Sequence, residues 1–208
     1  MPSAVVHLKA AYDLKDILSV KDTGQFYVGA VSPDAVNADG FAPQDIRYPA
    51  HIRSTDYAQW KRNVADYITD KSDDYKNNTD FFKGFLLHIL TDIFWDELVQ
   101  PLLFSALQEN GAAAQQLREL KWQELYRFNA ALAGDWLYKE VLPKIGEVTR
   151  FDGISTVTPD LLEKYVRHLT TDYMEKKAID EKPLILSEKM LAPVEQACVE
   201  FLKKYKVV

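Results

Sequence analysis

The sequence predicts an all-α fold, one helical bundle formed by residues 1–208, and three observations carry that expectation. Apolar residues recur at spacings of three and four through most of the chain, the period of an α-helix facing a core. The apolar runs are preceded by Ser, Thr or Asp and interrupted by Gly or Pro, the residues that start and stop helices. The stretch Asp80 to Trp95, DFFKGFLLHILTDIFW, is apolar almost all the way round, so its helix needs other helices on most sides.

Taken in order, Val5 to Val20 carries Val6, Ala10, Leu14, Ile17 and Leu18 at helical spacing and sets His7 near a helix start. Gln25 to Val31 reads as a short buried helix that Pro33 should end, with Asp34 in the turn behind it. Asn37 to Pro49 reads as a loop by its Gly and Pro content, and His51 follows it directly. Ser54, Thr55 and Asp56 are cap candidates for an amphipathic helix bearing Tyr57, Trp60, Val64, Tyr67 and Ile68. A charged connector, Asp70 to Asp80, leads into the central helix, with Thr79 or Asp80 as its cap.

Leu98 to Leu107 continues the apolar pattern past Pro101, and Gly111 breaks it. Ala112 to Ile145 gives long helical runs dense in Leu, Trp, Tyr and Phe, which read as core. Thr158 and Pro159 open a further helix expected to reach about Lys177, and Ser187 caps a last one with Leu191, Val194, Cys198 and Leu202 on one stripe. Residues 1–100 hold the polar exceptions, and 101–208 read as a helical scaffold.

Composition narrows the classes of function. Hydrophobic residues make up 47% of the chain and charged residues 27%, a globular balance that excludes disordered and fibrous classes. A net charge of -6 argues against a general nucleic-acid or anionic-membrane binder, because a phosphate backbone selects for clustered cations. The lone Cys198 allows no internal disulfide, which fits a reducing compartment. The N-terminus lacks a signal-peptide pattern, and no run of about 18 apolar residues occurs, so a cytoplasmic location without a membrane span is expected.

Two residues break the apolar surface of the central stretch. His88 and Asp92 stand one turn apart on one face, and Gly84, a turn earlier, lets a ligand or another backbone approach that face. A buried carboxylate is costly unless it is paired or coordinates a metal, and an imidazole with a carboxylate is a donor set that Zn²⁺ accepts. A plain His–Asp or His–backbone bond inside the core is the competing reading. His168 and Asp172 repeat the spacing in polar surroundings and read as a surface pair.

The series His7, FYVGAVSPDA (Phe26 to Ala35), His51 and FKGFLLHILTDIFW (Phe82 to Trp95) resembles the zinc-dependent phospholipase C family, over roughly the first 95 to 100 residues. The resemblance implies a helical bundle of that type in which Asp34, His51, His88 and Asp92 hold one Zn²⁺. His7 would serve a neighbouring metal with Asp92 as bridge, giving one or two ions per chain. The secreted members use a further His, His and Glu downstream, and this chain has no histidine between His88 and His168. Asp96 is the replacement ligand or base considered first, with Glu97, Glu124, Asp135 and Glu140 behind it.

Two functions of different class follow. The first is a metal-dependent hydrolase of phosphoester bonds in a small phosphorylated substrate, with Asp34 and Asp96 at the reaction and Arg47, Arg53 and Lys83 available to a phosphate. The second is a non-catalytic helical protein whose metal is structural or whose cavity holds a small anion. No adjacent His–Asp dipeptide, P-loop or GxSxG supports another hydrolase class.

Overall fold

The computed structural model describes residues 2–175 and 182–208, and these are 71% helical with no strand. The helices are α1 (Ala4–Leu14), α2 (Thr23–Gly29), α3 (Gln44–Ala50), α4 (Tyr57–Lys71) and α5 (Thr79–Phe94) in the first half. The second half adds α6 (Gln100–Glu109), α7 (Leu117–Leu132), α8 (Leu142–Gly146), α9 (Pro159–Glu175) and α10 (Leu191–Lys204). The expected extension of α9 to Lys177 lies outside the described residues.

The central stretch forms α5, and its side chains from Phe81 to Ile93 are almost all buried. Helices α1, α2, α4 and α10 pack around it, with Trp60, Trp95, Phe26, Phe85 and Phe128 among the largest fully buried side chains. At the crossing of α2 and α5 the contact is backbone on backbone. A Cβ on Gly84 would meet the Phe26 carbonyl oxygen and stand 2.8 Å from the Ala30 nitrogen, and one on Gly29 would meet the Phe81 carbonyl. The space beside Gly84 is therefore taken by α2, and only glycine permits it.

Several boundaries differ from the sequence expectation for local reasons. Helix α1 stops at Leu14, because Ser19 takes a left-handed conformation (φ 52°) and the Val20 N–H turns back to the Lys15 carbonyl. Pro33 does not end α2; it starts a 3₁₀ turn, Ser32–Asn37, that carries Asp34 in its first turn. The expected loop from Asn37 to Pro49 contains α3, which tolerates Pro49 near its end and places His51 as its C-cap.

Capping is also redistributed. Asp56 caps α4 by accepting from the Gln59 N–H, and Thr158 accepts from the Leu161 N–H at the start of α9. Asp80 does not cap α5; its carboxylate accepts the backbone N–H groups of Lys21 and Asp22, so it ties the α1–α2 connection to the central helix. Ser187 precedes a 3₁₀ turn, Glu188–Met190, and makes no side-chain cap bond. Two π-helical turns, Trp95–Val99 and Trp136–Val141, come just before Pro101 and Pro143. A proline removes an N–H and crowds the preceding turn, and widening that turn accommodates both effects.

Candidate metal centre

Four elements deliver one cluster of side chains to the middle of the bundle. His7 comes from the first turns of α1, Asp34 from the 3₁₀ turn after α2, His51 from the end of α3, and His88 with Asp92 from α5. His7, His51, His88 and Asp92 are at most 1% exposed, so the helix-start position of His7 is a core position. Asp34 keeps 16% of its side chain accessible.

The orientation of two imidazoles is fixed by backbone carbonyls. His88 Nδ1 lies 2.8 Å from the Ala30 carbonyl oxygen, and His51 Nδ1 lies 2.9 Å from that of Arg47. A carbonyl only accepts, so each Nδ1 carries the proton and donates. In the neutral ring each Nε2 then presents a lone pair to the cluster centre. The Ala30 carbonyl reaches His88 because Gly29 and Gly84 bring the two backbones together. A small residue in the sequence thus sets the tautomer of a buried histidine.

The inward atoms face acceptors rather than donors. His51 Nε2 is 3.5 Å from Asp34 Oδ1 and 3.7 Å from Asp92 Oδ2, and His88 Nε2 is 3.8 Å from Asp92 Oδ2. His7 stacks on His88 with ring centroids 3.7 Å apart, and its Nε2 lies 3.5 Å from Asp92 Oδ1. Both His7 nitrogens, Nε2 of His51 and His88, and both Asp92 oxygens are buried without a hydrogen-bond partner. These separations are too long for hydrogen bonds and close to the roughly 3.4 Å edge of a tetrahedron of ligands about 2.1 Å from a zinc ion.

Two overlapping groups can therefore hold a divalent ion: His7, His88 and Asp92, and Asp34, His51 and His88. The donor set of neutral imidazoles and carboxylates fits Zn²⁺ or another borderline transition metal. His88 is the member common to the two groups, and Asp92 turns one oxygen to His7 and the other to His51 and His88.

Charge in the cluster follows from burial and mutual proximity. Burial and the nearby His7 hold His88 down to about 3. For Asp34 and Asp92 burial alone would raise the carboxyl, but the facing histidines outweigh it and lower both. His51 is raised, because the Asp34 and Asp92 carboxylates outweigh its desolvation.

The other sequence candidates are engaged elsewhere. Asp96 belongs to neither ligand group; it is buried, and its Oδ2 lies 3.2 Å from Arg53 Nη2. Glu97 pairs with Lys61, Asp135 with Lys139, and Glu140 accepts from the Tyr12 hydroxyl. Glu124 accepts three backbone N–H groups, from Leu184, Ile185 and Leu186. Lys83 donates to the Leu18 carbonyl and pairs with Asp80, so it is not at the cluster. His168 is exposed, and the side chain of Asp172 lies outside the described residues.

A cavity of about 680 Å³ opens beside the cluster, and Asp34 and Asp96 both line it. Arg47 and Arg53 enter it from the α3 side, and Arg118 and Lys121 from α7. The last two were not legible as site residues, because the sequence of α7 reads as apolar scaffold; their spacing of three, on one helix face, was the available signal. Among the described residues no helix is long and apolar enough to cross a membrane. No protein-family model, curated protein or solved structure matches this chain.

Proposed function

We propose that the protein is a metal-dependent hydrolase of phosphoester bonds, with one or two divalent ions held by His7, Asp34, His51, His88 and Asp92. The observation that carries this reading is the set of six buried nitrogen and oxygen atoms on His7, His51, His88 and Asp92 that have no hydrogen-bond partner. With the rings neutral, one His7 nitrogen keeps a proton and the other five atoms are acceptors, and burying these together is costly unless a cation lies among them. The likeness of these positions to the zinc-dependent phospholipase C pattern agrees with that chemistry.

When bound, a divalent ion supplies positive charge that polarises a phosphoryl group and makes a water molecule more acidic. The protein supplies the rest. Asp34 is the member of the cluster that reaches the cavity, so the reacting phosphoryl group sits against it. Arg47 and Arg53 bind the phosphate oxygens from the same wall. Asp96, oriented by Arg53, accepts the proton of the attacking water as the bond from phosphorus to the leaving oxygen breaks. The leaving oxygen takes its proton from solvent at the open side of the cavity.

A structural metal is the second reading, and the near-complete burial of His7, His51, His88 and Asp92 favours it, since closed sites are the structural kind. Elemental analysis of untagged protein separates the two. One or two equivalents of zinc, manganese, iron or nickel per chain, with turnover of p-nitrophenyl phosphate or its diester that chelation abolishes, is the expected result. Absence of tightly held metal would overturn the site assignment, and one metal without turnover on a broad phosphoester panel would leave the structural staple.

A further inference from the structure

From the cavity beside the cluster we infer that the substrate is doubly anionic: a phosphoester that carries a second phosphate group, on a linker short enough to fit within the cavity. This inference rests on the proposed hydrolase reading only for the position of the reacting phosphate. Four cations line the cavity, Arg47 and Arg53 from α3 and the segment after it and Arg118 and Lys121 from α7, against two carboxylates, Asp34 and Asp96, so the lining is net positive in a chain whose net charge is -6. Such a local excess against the overall sign is the footprint of an anionic ligand.

The cations differ in what already holds them. Arg53 is paired with Asp96, and Arg47 donates through Nε to the Ala42 carbonyl while its guanidinium lies over Phe41, 4.1 Å from the ring centroid. These contacts orient the two arginines on the Asp34 side. On α7, Lys121 donates to the amide oxygen of Gln100, 2.6 Å away, a partner that carries no charge. Arg118, one turn before it, is exposed at the rim. The Asp96 carboxylate, which also acts on Lys121, is already met by Arg53, so the charge of the α7 pair is left in excess in a cavity that the phosphate-binding arginines also line.

Cations that reach one cavity from two separate elements, and that outnumber its two carboxylates, match two anionic groups on one molecule. A zwitterionic headgroup with a quaternary ammonium would bring its cation against Arg118 and Lys121 and be repelled. The walls between are aromatic, with Phe41, Tyr48, Phe104, Trp122 and Tyr165, so the linker contacts apolar and ring surfaces rather than polar ones. Phe41 is 73% and Trp122 is 37% exposed, which leaves both available to a ligand at the mouth.

The test is calorimetric titration of the full chain with three probes: propyl phosphate, 1,3-propanediol bisphosphate and phosphocholine. The bisphosphate is expected to bind at least about tenfold more tightly than the monoester, and phosphocholine more weakly than the monoester. The Arg118→Ala, Lys121→Ala double variant should bring the bisphosphate to within twofold of the monoester while metal content and melting temperature stay unchanged. Phosphocholine binding as tightly as propyl phosphate, or a bisphosphate preference that survives the double variant, would overturn the inference. Should the variant fail to fold, Lys121→Gln alone must still reduce the preference at least threefold. Bisphosphate preference in a protein that holds no metal would uphold the cavity and refute the hydrolase, whereas metal and turnover without the preference would do the reverse.

Discussion

Replacing Gly84 by alanine tests the link between backbone packing and the proposed metal centre. The added methyl group would overlap the Phe26 carbonyl oxygen and stand 2.8 Å from the Ala30 nitrogen and 3.0 Å from the Gly29 Cα, where ordinary contact begins at 3.4 Å. None of these atoms belongs to a flexible side chain, so α2 has to retreat by more than half an ångström. Overpacking against side chains costs about 1–3 kcal/mol, and a backbone obstacle puts Gly84→Ala at the upper end, near 3 kcal/mol. For a domain of this size that corresponds to a melting temperature lower by roughly 6–12 °C. The same retreat lengthens the 2.8 Å bond from His88 Nδ1 to the Ala30 carbonyl. Loss of such an orienting partner weakens metal binding by about 10–100-fold. Thermal unfolding followed by circular dichroism, with and without added zinc, measures the first effect, and competition with a chelator measures the second. Gly146→Ala is the control, because nothing lies within 4 Å of its added methyl. A Gly84→Ala melting temperature within 2 °C of the parent would refute the backbone-contact argument. Normal stability of the fold with lost metal would show that the carbonyl, rather than the packing, is what glycine protects.

Three further predictions use different parts of the molecule. His88→Ala leaves Asp92 and Asp34 facing a cavity without their shared partner and should lose most bound metal and about 3–5 kcal/mol of stability, whereas His168→Ala, at the surface, should keep both; metal analysis of the two variants checks this, and equal metal content would sink the assignment. Glu124→Gln exchanges a carboxylate that accepts three backbone N–H groups for an amide with one acceptor oxygen, and urea unfolding should show a loss of about 2–3 kcal/mol. Burial and the neighbouring Asp13 carboxylate raise Glu195 to about 7. In the pH range between the ordinary 4.5 and that value the folded state keeps a proton the unfolded state has lost, so stability falls as pH rises through 7. After discounting for the partial exposure of the group the effect is about 1–2 kcal/mol, and Glu195→Gln should flatten the slope; a slope that persists in that variant would refute the cause.

The helical periodicity of the sequence was enough to place α4, α5, α10 and the described part of α9, because each buries one face or, for α5, nearly all of its surface. What it missed was set by tertiary contacts. Helix α3 is short and proline-flanked, and its local signals of Pro43 and Pro49 are those of a loop until packing against the Ser32–Asn37 turn holds it. Gly84 was legible as a place of close approach, but not that α2 would fill it. Asp80 looked like a cap and is a clamp, since only the fold brings the N–H groups of Lys21 and Asp22 to it. Within the site, His88 and Asp92 could be paired by helix geometry alone, whereas His7, Asp34 and His51 needed the family resemblance to be grouped. Arg118 and Lys121 were hidden, because a cation on an amphipathic helix looks solvated until the opposite wall of a cavity is known.

The treatment of buried carboxylates within this one chain bears on what Asp92 is for. Asp80 is 7% exposed and accepts two backbone N–H groups, and Glu124 is 2% exposed and accepts three. Asp96, at 4%, is met by the guanidinium of Arg53. Three times the fold buries a carboxylate and supplies donors within hydrogen-bond reach. Asp92 is the most enclosed of the four, fully buried, and neither oxygen has a donor. Its neighbours are the Nε2 atoms of His7, His51 and His88, and two of those rings have their only proton committed to a backbone carbonyl when neutral. Protons on the rings would draw nitrogen and oxygen to about 2.8 Å, and the observed separations of 3.5 to 3.8 Å leave room for a larger cation instead. Among the described residues the three other carboxylates of this burial meet donors of the chain itself, and their absence at Asp92 is what supports the cation proposed there.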